Sequence, residues 1–61
     1  MNVQIEDAQG NVLLQLPLAQ FGGIPRIGDQ IVVNHNNNAV TMTVQNVLWN
    51  PPQGIIRVVV A

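Results

Sequence analysis

Apolar and polar residues alternate along most of this chain with a period of two, the pattern of strands that bury one face. Val3 and Ile5 alternate with Gln4 and Glu6, which predicts a first strand over residues 1–6. Asp7-Ala8-Gln9-Gly10-Asn11 reads as a hairpin turn, because Gly10 and Asn11 tolerate positive φ. Residues 12–18 form a second strand with Val12, Leu14, Leu16 and Leu18 on one face. Pro17 lacks an N–H, so it marks a strand end or an edge position. Residues 19–25 form a loop in which Phe21 and Ile24 flank Gly22-Gly23. Residues 30–34 make a third strand, and His35 to Asn38 a turn of residues that tolerate the left-handed region. Val40, Met42 and Val44 alternate with Thr41, Thr43 and Gln45 as a fourth strand, its apolar members inward. The alternation slips at Asn46-Val47-Leu48-Trp49, where a β-bulge accounts for two adjacent apolar residues. Asn50-Pro51-Pro52-Gln53-Gly54 is a tight connection, and residues 55–60 are a fifth strand, apolar on both faces except at Arg57.

No segment carries a helical period of normal length. Five short strands in one domain spanning residues 1–61 are too few for two stacked sheets. A small, strongly bent barrel is the economical solution, SH3-like or OB-like. A hairpin, a longer loop and a three-strand meander favour the SH3-like form. An OB fold usually carries a helix between its third and fourth strands.

The segment Ile24-Pro25-Arg26-Ile27-Gly28-Asp29 is a stiff turn feeding the third strand. Pro25 fixes φ, Gly28 frees it, and Asp29 supplies a carboxylate to backbone amides after Gly28. With Val44, Val47, Trp49 and the Val-rich last strand, it resembles small SH3-like barrel proteins from phages, prophages and bacterial gene clusters. In these a Pro-Arg-Val/Ile-Gly-Asp/Glu element precedes the central strand. The resemblance covers residues 16–60. It implies a fold and a genetic setting, and it implies no active site.

Composition adds a need for partners. Hydrophobic residues make up 48% of the chain and charged residues 8%, where about 25% charged is ordinary. A chain this short buries only about 60% of its unfolded surface, and such chains lean on disulfides, metals or association. There is no Cys and only one His, so neither a disulfide nor a structural zinc site is expected, and no cofactor is implied. A homo-oligomer is the expectation that remains. The net charge is −1 with no Lys and two Arg, which argues against nucleic acid, whose binding rests on clustered cations. No apolar run approaches the length of a membrane span. The N-terminus shows no secretory pattern, and a cytoplasmic location is the default.

Reactive groups are scarce. The chain has no Ser, Cys, Tyr or Lys, so the usual nucleophile–base arrangements are out of reach. His35 is expected as an exposed turn residue. Glu6 and Asp7 are adjacent, so they point to opposite faces, and Asp7 is expected to cap its own turn. Gly22-Gly23 is not followed by a helix and makes no phosphate loop. The expectation is a non-enzymatic binding protein. Phe21 and Trp49 are the only aromatics, too few for a proline-peptide groove of the SH3 signalling type. Trp49 serves as a core lid, an interface anchor or a stacking surface. Ile24 and Ile27 are assigned to packing, which leaves Arg26 without a structural task. Arg57 lies between Ile55 and Val59 on the outward face of the last strand, an apolar stripe of the kind that marks contacts. Arg26, Arg57 and Trp49 are therefore the candidate ligand-binding residues. Two functions follow from this set. One is a homo-oligomeric barrel that contacts a partner protein. The alternative is a phage anti-defence protein that sequesters an anionic ligand, such as a nucleotide signal, at an Arg-lined oligomer interface.

Overall fold

Five strands form in the predicted order: β1 (Asn2–Asp7), β2 (Val12–Pro17), β3 (Gln30–His35), β4 (Asn38–Asn50) and β5 (Ile55–Val60). In the computed structural model, which describes all residues 1–61 except the side chain of His35, they make one sheet of order β2-β1-β5-β4-β3. The exposure expected for the His35 side chain lies outside the described residues. The chain is all-β, and its sheet curls into a half-barrel, the architecture of a small SH3-like or OB-like barrel.

The curl is built into β4. Its first half pairs antiparallel with β3, from His35↔Asn38 to Gln30↔Thr43, and its second half pairs antiparallel with β5, from Val44↔Val60 to Asn50↔Ile55. One long strand thus turns the corner between two neighbours. Its register shifts between Val44 and Asn46, so Gln45 is the extra residue of a β-bulge, slightly before the Asn46–Trp49 slip in the sequence pattern. The bulge reverses the parity of the strand. Val44 and Val47, three residues apart, therefore both face the core side.

The two hairpins follow their turn chemistry. Asn36 and Asn37 have φ of 51° and 65° between the paired His35 and Asn38, the two-residue turn that matches strand twist. In the β1–β2 turn the Asp7 Oδ1 accepts the amides of Gln9 and Asn11, each at 2.9 Å, as expected of a self-capping Asp. A second register shift, between Ile5 and Glu6, leaves Leu13 as the extra residue of β2. The uninterrupted apolar face expected from Val12 to Leu18 is corrected by it. Val12 moves to the outer face opposite Glu6 and is 54% exposed. Leu18 leaves the strand and opens a single 3-10 turn, Leu18–Phe21, which takes up the start of the loop predicted over residues 19–25.

Strand β5 is central, antiparallel to β4 and parallel to β1. Its Ile56, Val58 and Val60 join Val3, Ile5, Val33 and Val44 as the buried core. Leu18, Phe21 and Ile24 pack against that core from the open side of the half-barrel. The 3-10 turn and the loop after it act as a lid over the concave face, and this places the candidate site. The described residues contain no helix long and apolar enough to cross a membrane.

Candidate binding site

The Pro25–Asp29 turn closes on itself. The Asp29 amide donates to the Arg26 carbonyl at 3.0 Å, and the Arg26 amide donates to the Asp29 carboxylate at 2.9 Å. The carboxylate thus caps the amide three residues before it, not the amides after Gly28 as expected. Gly28 has φ of 96°, the positive φ that a type II turn requires at its third position. The turn is tied to β4 by Gly28 N–H to Val44 O at 3.0 Å and Val44 N–H to Asp29 O at 2.8 Å.

The conformation sends neighbouring side chains in opposite directions. Ile24 packs on the core, whereas Ile27 is 69% exposed. Assigning Ile27 to packing is therefore corrected: it sits at the second position of the turn, which points away from the barrel. Ile24, Pro25, Arg26 and Ile27 form one wall of an open groove of about 670 Å³, and Val47 and Trp49 form the other. Trp49 is opposite Ile56 in register, which puts it on the concave side, at the open mouth, 56% exposed. It is the bulge at Gln45 that brings Val47 and Trp49 to this side.

Arg26 is exposed at the rim of the groove, and its guanidinium has no partner among the described residues. Arg57 is elsewhere. It is opposite Leu48 in register, on the outer face of the sheet. Its Nη2 donates to the Glu6 Oε1 at 2.6 Å, and its Nε lies 3.4 Å from Oε2. Gln4 Nε2 donates to the same Oε2 at 3.1 Å. Glu6 is 4% exposed although it stands on an outer face. The hydrogen bond from Arg57 holds its carboxyl below the usual range, against the desolvation that pushes it up. The same hydrogen bond raises Arg57 further above its already high value.

The three candidate residues therefore split. Arg26 and Trp49 share the groove, and Arg57 is neutralised on the other side of the sheet. Sequence reasoning missed Ile27 as a site residue, and it missed Glu6 as the partner of Arg57. The turn position was a usable signal for Ile27. Nothing local pointed to Glu6, because the ion pair joins residues 51 apart in the chain.

The features define a class: a small all-β half-barrel with an apolar groove between its lid turn and its longest strand. No family model matches the chain, and neither a curated protein nor a solved structure matches it.

Proposed function

We propose that this chain is a non-enzymatic binding protein that self-associates and contacts a partner protein through the Ile27–Trp49 groove. The observation that carries this is the exposure of those two large apolar side chains on facing walls of one groove. Exposed apolar groups scattered singly are ordinary, but a facing pair in a groove is the form of a contact site. A core of only seven buried apolar side chains supports association, since so small a core stabilises a chain weakly. The outer face beside Arg57 supplies the surface between copies, with Leu48 39% exposed and Ile55 and Val59 half-buried.

The resemblance to small phage and gene-cluster barrels fits a protein that works by contact. Sequestration of an anionic ligand between Arg residues has less support, because Arg57 is already engaged by Glu6.

The test is light scattering at micromolar concentration combined with affinity capture. The native chain should be larger than 6.6 kDa, and Leu48→Gln should shift it toward the monomer. The double variant Ile27→Gln/Trp49→Gln should remain folded and associated but lose captured partners. A strictly monomeric native protein sinks the oligomer, and unchanged capture by the double variant sinks the groove.

A further inference from the structure

Within the groove reading, on which this inference rests, the charge at the rim limits what the partner can present. The chain has three carboxylates, and each has a task. Glu6 holds Arg57, Asp7 caps its own turn, and Asp29 accepts the backbone amide of Arg26. Among the described residues nothing meets the Arg26 guanidinium, and Arg26 lines the groove together with Ile24, Pro25, Ile27 and Trp49. A cation at the rim of an apolar groove attracts an incoming anion, with the modest gain of an exposed pair.

We propose that the groove takes a segment of a partner protein in which an apolar side chain stands next to a carboxylate. Arg26 is the residue that selects for the carboxylate. One guanidinium matches one carboxylate as a two-pronged donor. A phosphorylated segment carries nearly two charges and is read by clusters of Arg, whereas this groove has one. A free small molecule is a poor occupant, since such sites bury about 70–90% of their ligand. Here both walls, at Ile27 and Trp49, are more than half exposed. An extended peptide fits an open groove and places its apolar side chain between Ile27 and Trp49.

The experiment is an NMR titration of the full chain with two acetylated, amidated peptides, Gly-Leu-Glu-Leu-Gly and its isostere Gly-Leu-Gln-Leu-Gly. The readouts are the Trp49 indole N–H and the amides of Arg26 and Ile27. The Glu peptide should bind saturably and about two- to fivefold more tightly than the Gln peptide, the scale of one exposed charge pair. In Arg26→Gln the two peptides should bind alike, at the affinity the native protein has for the Gln peptide. That variant keeps the backbone amide that Asp29 caps, so the turn is retained. Equal affinity of both peptides for the native protein overturns the selectivity of Arg26 and leaves the groove as an apolar contact. Discrimination that survives in Arg26→Gln overturns the assignment to that residue. No shift at Trp49 with either peptide overturns the proposed occupant. Failure of the groove itself shows separately, as unchanged capture by Ile27→Gln/Trp49→Gln.

Discussion

Replacing Ile27 by Gln should separate stability from contact. Ile27 is 69% exposed, so about a third of its surface lies against the protein. Full burial of an aliphatic side chain is worth about 1.5–3 kcal/mol, so the folded state should lose only about 0.5–1 kcal/mol. The turn does not need Ile there, because the positive φ belongs to Gly28 and the closing hydrogen bonds to Arg26 and Asp29. Ile5→Ala is the internal standard: Ile5 is fully buried, and truncation of a core Ile costs about 2–5 kcal/mol. For 61 residues, total stability is expected near 3–9 kcal/mol. Ile27→Gln should therefore fold fully, while Ile5→Ala should lose a several-fold larger share of the total stability. Urea denaturation followed by far-ultraviolet circular dichroism measures both, and the same Ile27→Gln sample should lose captured partners. A loss above about 2 kcal/mol for Ile27→Gln would place the side chain in a packed interior. The groove would then be part of the core, and the reasoning for a contact site would fail.

Three further outcomes check the frame that holds the groove. Gly28→Ala should cost about 1–2 kcal/mol: φ is 96° while the added Cβ meets no atom within 4 Å, so the cost is conformational and would show as a lower urea midpoint. The Glu6 carboxyl is held below its ordinary value by Arg57, so its contribution is complete above the unfolded carboxylate range, near about pH 4.3, and is lost as pH falls through the lowered folded value. Urea midpoints measured from neutral to acid pH should fall less steeply in Glu6→Gln than in the native chain, and equal slopes would count against the pair. Deleting Gln45 should remove the bulge while Asn46 stays opposite Val59 and Trp49 opposite Ile56, so Val47 and Trp49 keep the concave face, with a lower urea midpoint and a nearly unchanged Trp49 emission maximum; a clearly shifted emission maximum in a stably folded deletion variant would refute the parity argument.

The strands were legible because a period of two survives in a sequence with one buried face, as at Val3–Ile5 and Val40–Val44. The turns were legible because Gly28, Asn36 and Asn37 take conformations few other residues accept. What stayed hidden arises from pairing. The bulge at Leu13 inverted the face assigned to Val12, and it comes from matching two strands, with no mark in either alone. The parallel contact of β1 with β5 set Gln4 opposite Arg57 and brought Glu6 within reach of it. Composition could count two Arg but could not show that only one of them is free of an ion pair. Half of the candidate site was legible for the same reason. Trp49 and Arg26 stood out as rare residue types, while Ile27 was masked by a rule that sends apolar residues inward.

The low charge of this chain and the split of its Arg residues bear on one question. With five charged groups in the sequence, each structural use of one removes a large share of what remains for recognition. Glu6 and Arg57 cancel on the outer face, next to the apolar side chains of Leu48, Ile55 and Val59. That arrangement suits contact between copies, because the charges enter already paired and a buried unpaired charge is costly. Asp7 and Asp29 are spent on turns. Arg26 is the exception, and its turn holds it by the backbone, leaving the side chain free. Pro25, Gly28 and Asp29 fix where it stands, and the Gln45 bulge fixes the Trp49 wall opposite. The rigid turn before β3 therefore also presents the one charge the fold does not consume, at the edge of a groove with two exposed apolar walls.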